Sequence, residues 1–255
     1  LDSYDLFNIS YRKKLNDQTI LCDVTKIDKL EKISKEIQPN IIINCIGVLK
    51  KGAQADPGNA IYLNSCLPHF LSSMCDRIDA KLIHITTDCV FSGKKGAYVE
   101  TDFKDADDIY GRSKALGEIN NDRDLTIRTS YIGPELKKDG EGLLHWFLSQ
   151  ESVINGYTKM MWGGVTTLEL AKGIIDAIEK DLTGLIHFTN KIPISKYDLL
   201  NLLKSVFDSR VGIISTEGIR IDRSLSSSRN DWYYKIPSYE SMLNDMKLQM
   251  DSNFD

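Results

Sequence analysis

Tyr110 and Lys114 are the residues whose types and spacing point most directly to chemistry. They form a Y-x-x-x-K pattern, and residues four apart lie on the same face of a helix. An ammonium group near a phenol stabilises the phenolate, so we expect Lys114 to lower the pKa of Tyr110 from about 10 toward neutrality. Tyr110 could then protonate a carbonyl oxygen that accepts hydride, or act as a base in reverse. A packing tyrosine beside a solvated lysine is the alternative for this pair taken alone.

A pair of hydroxyls ends the apolar run that precedes this pattern. Thr86 and Thr87 lie in KLIHITTDCVF, and the carboxyl end of a strand is a common site position. Strand alternation points the two side chains to opposite faces, and Thr87 is the one predicted to hydrogen-bond the same substrate oxygen as Tyr110. Ordinary β-propensity explains the threonines equally well. Asp88 has an alternative role as a turn or cap residue.

Strand-like apolar runs alternate with helical patterns through the first half of the chain, which predicts an α/β fold with a doubly wound, Rossmann-like parallel sheet. Helical patterns lie in KIDKLEKISKEI, in NAIYLNSCLPHFLSSMCDRI, with Pro68 at its start or at a kink, and around YGRSKALGEIN. The run Ile41–Gly47 is continuously apolar, which is typical of a strand buried on both faces. The predicted strands are Thr19–Cys22, Ile41–Gly47, Lys81–Phe91 and Leu125–Gly133.

After Gly142 the alternation loosens, which predicts a smaller C-terminal lobe. Thr166 or Thr167 is expected to cap one helix, and Ser195, with Asp198 three residues on, another. We therefore expect residues 1–142, with parts of 160–190, to form a dinucleotide-binding domain. Residues 143–255 are expected to form most of a substrate-binding lobe at the carboxyl edge of the sheet.

Composition excludes several classes of protein. The chain has 255 residues, a net charge of −4, five cysteines without a C-x-x-C motif and four histidines without metal-ligand spacing. These features predict a cytoplasmic protein with reduced, mostly buried thiols and no metal site. The mild acidity, the short basic pairs and the lack of a long apolar run argue against nucleic-acid and membrane partners. A homodimer is compatible with the sequence.

Several motifs together carry a family resemblance. TTDCVFSG, then ETD, YGRSKALGE and IRTS follow in the order and spacing of the extended short-chain dehydrogenase/reductases. The chain most closely resembles their dTDP-4-dehydrorhamnose reductase-like branch. INCIG resembles that family's strand-four cofactor motif, and the resemblance extends from about Thr19 to Leu170.

The resemblance implies roles for individual residues. Thr87, Tyr110 and Lys114 match the catalytic triad, in which tyrosine donates the proton, threonine polarises the carbonyl and lysine tunes the tyrosine and holds the nicotinamide ribose. Besides Tyr110 and Lys114, the implied NAD- or NADP-binding residues are Asp23 and Val24 on the adenine side, Asn44, Cys45, Ile46, Gly47, Asn64, Thr86, Thr129 and Ser130.

The implied substrate-binding residues are Asp88, Val90, Arg128, Trp162, Arg223 and Arg229. Arg128 would flank the nicotinamide and the sugar. Trp162 would be a stacking surface for the sugar nucleotide, with burial in the core as its alternative. Arg223 and Arg229 would clamp a diphosphate, because a guanidinium matches phosphate oxygens in bidentate fashion; ordinary surface arginines are the alternative.

The sequence departs from the family at its start. Family members open with a strand, a glycine-rich turn and a helix that hold the pyrophosphate, whereas no glycine precedes Gly47 here. The opening residues are polar and non-periodic, so the first βα unit and the second strand of the family fold are expected to be absent. The non-Met start favours a truncated or partly omitted sequence over a divergent protein that has lost normal dinucleotide binding. We therefore expect this chain by itself to bind cofactor weakly.

The function implied by the resemblance is NAD(P)H-dependent reduction of a 4-keto nucleotide-linked deoxysugar in polysaccharide synthesis, with Tyr110 as proton donor. A nucleotide-sugar epimerase is an alternative, because the same fold and triad serve both reactions. A dehydratase is disfavoured, since Asp88-Cys89 stands where dehydratases have an acidic pair. A dinucleotide-binding regulatory subunit, such as that of methionine adenosyltransferase, is the non-catalytic alternative.

Overall fold

The alternation of apolar and amphipathic segments becomes an alternation of strands and helices in the computed structural model, which describes residues 4–137 and 140–252. The helices are α1 (Ile27–Ile37), α2 (Lys50–Ala55), α3 (Pro57–Ile61), α4 (Leu67–Arg77), α5 (Ile109–Leu116), α6 (Leu143–Leu148), α7 (Thr167–Glu179), α8 (Lys196–Val206) and α9 (Tyr239–Ser252). A π-helical segment, Tyr62–Cys66, joins α3 to α4, and a single 3₁₀ turn, Asp88–Val90, follows one strand.

The strands are shorter than the apolar runs that predicted them. They are β1 (Asn8–Ser10), β2 (Thr19–Leu21), β3 (Ile41–Asn44), β4 (Lys81–Thr87), β5 (Leu125–Thr129), β6 (Tyr131–Ile132), β7 (Ile154–Tyr157), β8 (Met160–Trp162), β9 (Val165–Thr166), β10 (Gly184–His187), β11 (Ile194–Ser195), β12 (Ile213–Thr216) and β13 (Ile221–Asp222).

The central sheet has the order β10-β5-β4-β3 with all neighbours parallel. Its apolar residues pack on both faces. Ile83 and Ile127 contact a core that includes α7, while Leu82 on the opposite face packs with residues of α1 and α4. This confirms the predicted doubly wound, Rossmann-like α/β architecture. The register sets Thr87 of β4 beside Thr129 of β5, so the ends of these strands form one edge.

The beginning of the chain corrects a prediction. β1 pairs in parallel with β2, with Asn8 opposite Thr19, so a strand does precede β2 where the sequence was interpreted as non-periodic. A strand of three residues is too short to show a period of two, which explains the error. Among the described residues, β1 and β2 form a separate two-stranded sheet that is not hydrogen-bonded to β3.

β3 also differs from its predicted environment. Because it is the edge strand of the described four-stranded sheet, Ile43 is 43% exposed, and the prediction that this run is buried on both faces is wrong. The prediction of mostly buried thiols is wrong as well. Cys22 and Cys75 are buried, whereas Cys45, just after β3, and Cys66 are exposed.

A second core lies under the C-terminal lobe, where α6, α8 and α9 pack around Trp162 and Leu200. The predicted caps are present: Thr166 Oγ1 accepts from the amide of Glu169, and Ser195 Oγ accepts from that of Asp198. α7 and β10 pack with the central sheet rather than with this lobe. The domain boundary near residue 142 stays a prediction. No helix in the described ranges has both the length and the apolar composition needed to cross a bilayer.

Candidate active site

A cavity of about 720 Å³ lies at the carboxyl edge of the central sheet and contains the three predicted catalytic residues, Thr87, Tyr110 and Lys114. Thr87 ends β4, while Tyr110 and Lys114 lie one turn apart on α5. The size of the cavity is typical of a small-molecule site. The structure therefore brings together residues that are up to 27 positions apart in the sequence.

Two local features fix α5 against β4. Asp108 caps the helix, since its Oδ1 accepts a hydrogen bond from the amide of Gly111 at 2.6 Å. Gly111 itself packs against the turn after β4: a Cβ there would lie 2.3 Å from the carbonyl oxygen of Cys89. Any larger residue would push the helix away, so this glycine sets the distance between Tyr110 and the end of β4.

Burial raises the pKa of the Tyr110 phenol above its usual value, although the Thr87 side chain beside it acts in the opposite direction. The prediction that Lys114 brings the pKa of Tyr110 toward neutrality is therefore wrong for this arrangement. Desolvation disfavours the phenolate more strongly than neighbouring groups favour it. The proton thus stays on Tyr110, which suits a proton donor.

Lys114 is 5% exposed, and its Nζ donates to the carbonyl oxygen of Ile85 at 2.9 Å. Burial lowers the pKa of this ammonium to about 8, against the opposing effect of Glu118. An ammonium has three donors, so hydrogens remain for a hydroxyl-bearing ligand in the cavity.

Thr86 and Thr87 are the last two residues of β4, and both line the cavity. Thr87 Oγ1 accepts from the amide of Cys89 and donates to Asp88 Oδ1, each at 3.1 Å. Thr86 is 2% exposed and has no hydrogen-bond partner for its Oγ1 among the described residues. A buried hydroxyl without a partner is costly, and a polar ligand group would satisfy it.

Of the predicted cofactor residues, Cys45, Ile46, Gly47, Thr129 and Ser130 line the cavity together with Thr86. A Cβ on Gly47 would lie 3.3 Å from Asn64 Oδ1 and 3.8 Å from Lys114 Nζ. The absence of a side chain there keeps the space in front of Lys114 open.

Asn44 and Asn64 lie behind the cavity wall rather than on it. Asn44 Oδ1 accepts from the amide of Ile46, and its amide group hydrogen-bonds with His84 Nδ1 at 3.1 Å. Asn64, which is fully buried, bonds both the amide and the carbonyl of Val48 and also Ser113 Oγ. Both residues hold the loop after β3, and their contact with a cofactor stays a prediction.

Asp23 and Val24 lie outside the described cavity. The Asp23 carboxylate accepts from the amide and the hydroxyl of Thr25, which lowers its pKa. Val24 packs against the core between α1 and α4. Their adenine-side role stays a prediction.

Two predicted substrate residues are part of the core. Val90 is fully buried with Phe91, Tyr98 and Leu225. Arg128 is 1% exposed and is paired with Glu118 and His187. Neither lines the cavity, and the substrate contact of both stays a prediction. β5 points Arg128 into the polar interior of the protein instead of toward the site.

The two predicted diphosphate arginines are at opposite edges of the sheet. Arg223 lines a narrow crevice that shares Asp88 and Ser130 with the cavity. Arg229 bonds Asp231 and the carbonyl of Thr183, next to Gly184 at the amino end of β10. Arg229 thus lies near the amino end of β10, and its diphosphate role stays a prediction.

Trp162 is buried in the core, which was the alternative to its role as a stacking surface. It is 6% exposed, and its Nε1 donates to Ser130 Oγ at 2.8 Å. Asp88 lines the cavity as predicted, and burial raises the pKa of its carboxyl despite Arg223, Thr87 and Lys196 nearby.

The sequence analysis missed several polar residues at or beside the cavity. They are Lys50, Cys89, Tyr131, Glu135 and Lys196. Only Tyr131 carried a signal in the sequence, because it directly follows the IRTS motif.

The residues present fit the nicotinamide end of a dinucleotide. The unpartnered hydroxyl of Thr86, the remaining donors of Lys114 and the side-chain-free surface at Gly47 meet in one part of the cavity. Such groups can hold a ribose and a ring amide by hydrogen bonds.

Comparison with known proteins identifies the family. A family model described as the RmlD substrate binding domain matches residues 12–217. A dTDP-4-dehydrorhamnose reductase of Aggregatibacter actinomycetemcomitans is 25% identical over 239 residues, which cover 89% of this chain and 80% of the relative.

Solved structures share the fold. A hypothetical dTDP-4-dehydrorhamnose reductase from Sulfolobus tokodaii superposes with a TM-score of 0.73 at 25% identity, over 85% of this chain and 82% of that one. The UDP-glucose 4-epimerase of Thermotoga maritima, at 15% identity, gives a TM-score of 0.79 over 100% of this chain and 93% of that one. The family match covers most of the chain, and the chain therefore belongs to the RmlD substrate-binding-domain family of extended short-chain dehydrogenase/reductases.

Proposed function

We propose that this protein is an NAD(P)H-dependent reductase of a 4-keto deoxysugar linked to a nucleoside diphosphate, acting in polysaccharide biosynthesis. The observation that carries the proposal is that Thr87, Tyr110 and the buried Lys114 line one cavity. The name of the A. actinomycetemcomitans relative supports the same substrate class.

The cofactor would supply a hydride to the keto carbon of the sugar. As that carbon gains the hydride, negative charge develops on the carbonyl oxygen, and Tyr110 transfers its phenolic proton to this oxygen. The C=O bond thus becomes CH–OH, and both hydrogens are accounted for. The raised pKa of Tyr110 keeps the proton in place until charge develops on the acceptor.

Thr87 stabilises the same developing charge. Its hydroxyl donates to Asp88 in this arrangement and must turn toward the substrate oxygen when a sugar is bound. A single donor aimed at such an oxygen typically contributes about a hundredfold in rate.

Lys114 orients the cofactor and supports Tyr110. Its Nζ is held by the Ile85 carbonyl, so its remaining hydrogens are directed at fixed positions, where the ribose hydroxyls of a dinucleotide would be bound. With a pKa of about 8, the ammonium can also replace the proton that Tyr110 gives up.

Turnover of dTDP-linked and UDP-linked 4-keto-6-deoxyhexoses with NADPH and with NADH tests this function. A reductase oxidises one nicotinamide for each sugar reduced, and it carries deuterium from 4-deuterated cofactor to the keto carbon. Sugar inversion without net cofactor oxidation would establish the epimerase instead. Binding of dinucleotide with no turnover of either sugar would favour the regulatory-subunit alternative.

A further inference from the structure

Two cations beside the cavity have no anionic partner. The Nζ of Lys196, at the start of α8, makes no hydrogen bond and no ion pair within 4 Å to any residue in the ranges 4–137 and 140–252. Arg223 donates from its Nε to the carbonyl of Phe91, and its terminal nitrogens have no carboxylate partner in the same ranges. Half-buried cations without partners are unfavourable unless a ligand balances their charge.

Lys196 and Arg223 both lie close to Asp88, the residue that follows Thr87. Each is close enough to Asp88 to favour its ionised form, and Arg223 lines the crevice that opens from the cavity at Asp88 and Ser130. The Lys196 Nζ also lies 5.5 Å from the centre of the Trp162 ring, and Trp162 is bonded to Ser130. Lys196 and Arg223 therefore lie beside Asp88, the residue after Thr87, on the side of the site that faces the C-terminal lobe.

One carboxyl cannot balance this charge. Asp88 is close to both Lys196 and Arg223, but burial raises the pKa of its carboxyl. This part of the cavity is therefore net positive, which favours a ligand group with more than one negative charge.

We propose that Lys196 acts with Arg223 to bind the diphosphate of the nucleotide-linked sugar whose ring lies at Asp88 and Tyr110. This inference rests on the proposed function for the substrate class and adds Lys196 to the site. The Trp162 ring, 5.5 Å from the Lys196 ammonium, restrains that side chain, and the bond from Arg223 Nε to the Phe91 carbonyl restrains the other.

The test measures the affinities of dTDP, UDP and thymidine for the parent, Lys196→Gln and Lys204→Gln by titration calorimetry. Lys204 is the matched control, because it is on the same helix and makes no side-chain bond to a described residue. We expect Lys196→Gln to weaken dTDP and UDP binding about tenfold or more, with thymidine unchanged and Lys204→Gln like the parent. Equal dTDP affinity in Lys196→Gln and the parent would overturn the proposal, as would an equal loss for thymidine.

Two further measurements keep the proposal testable if Lys196→Gln does not fold. Lys196→Arg keeps the charge and should retain dTDP binding within a few-fold. In the parent, dTDP affinity should fall steeply with salt while thymidine affinity does not, and a salt-independent dTDP affinity would contradict a cationic pair. None of these titrations needs turnover, so loss of reductase activity and loss of the diphosphate site are told apart.

Discussion

Glu118 and Arg128 form a two-point ion pair in which each side chain is 1% exposed. Arg128 Nε and Nη2 donate to the two carboxylate oxygens at 2.9 and 2.7 Å, and its guanidinium lies 4.9 Å from the centre of the Phe91 ring. Glu118 lies two residues beyond the end of α5. The pair therefore ties the segment after α5 to β5.

Arg128→Met is expected to destabilise the protein by about 3–5 kcal/mol, because it leaves the Glu118 carboxylate buried without its main partner. Lys104, 3.1 Å from Glu118 but partly exposed, compensates only in part. Urea unfolding measures the effect. The double variant Arg128→Met with Glu118→Leu should recover much of the loss, and a single variant as stable as the parent would refute this role.

His187 makes the stability of the folded protein depend on pH in the acidic range. Arg128 Nη1 donates to its Nε2 and its Nδ1 donates to the Ser226 carbonyl, each at 2.7 Å, so the imidazole is neutral in the folded state. Burial and Arg128 lower its pKa from 6.5 to about 4. As pH falls, His187 therefore takes up a proton in the unfolded chain before it does so in the folded protein. The contribution of neutral His187 to the free energy of unfolding is complete above about pH 6.5 and is lost as pH falls through 4.

The measurement is the urea midpoint of the parent and of His187→Gln between pH 7 and 4. The parent should lose stability over this interval, and the variant should show a flatter profile because it lacks the titrating group. Parallel profiles for the two proteins would show that another group dominates acid unfolding.

Asn64→Ala should destabilise the protein by about 1–3 kcal/mol, because the amide and carbonyl of Val48 then lose their partner in a buried setting. The loop that carries Gly47 is expected to loosen, which raises the KM for cofactor. Asn59→Ala, an exposed position on α3, is the control and should change stability by less than about 0.5 kcal/mol. Thermal unfolding and cofactor KM check both variants, and equal effects in the two would contradict the role of Asn64.

Structural features that depend on residues close together in the sequence were predicted from the sequence. Tyr110 and Lys114 share a helix face because they are four residues apart, and Thr87 lies on a strand that its apolar run predicted. Thr166 and Ser195 cap helices by bonds to residues three positions on. Each of these relationships depends on neighbours in the sequence, so the sequence predicts it.

Relationships between distant segments were not visible in the sequence. Arg128, Arg223 and Arg229 have the same side chain but lie in different environments. The packing of β5 buries Arg128, and the packing at β10 places Arg229 at the far edge of the sheet. Lys196 joins the site because α8 packs near Asp88, 108 positions away. The raised pKa of Tyr110 likewise follows from burial, which spacing does not reveal.

Thr87→Val should lower kcat about a hundredfold, because it removes the hydroxyl that would stabilise the charge developing on the substrate oxygen beside Tyr110. Thr87→Ser keeps the hydroxyl and should retain most of the rate. Steady-state kinetics with saturating cofactor distinguish the two variants. Equal rates for valine and serine at this position would show that the hydroxyl does not act on the carbonyl.

The role of Tyr110 as proton donor is tested most directly by Tyr110→Phe, measured as kcat for reduction of a 4-keto sugar nucleotide with saturating NADPH. The substitution keeps the ring that packs beside Cys89 and removes only the proton-bearing oxygen. We predict a fall in kcat of about 10²–10⁴-fold with little change in the affinity for NADPH. A variant that reduces the sugar at the rate of the parent would contradict the account.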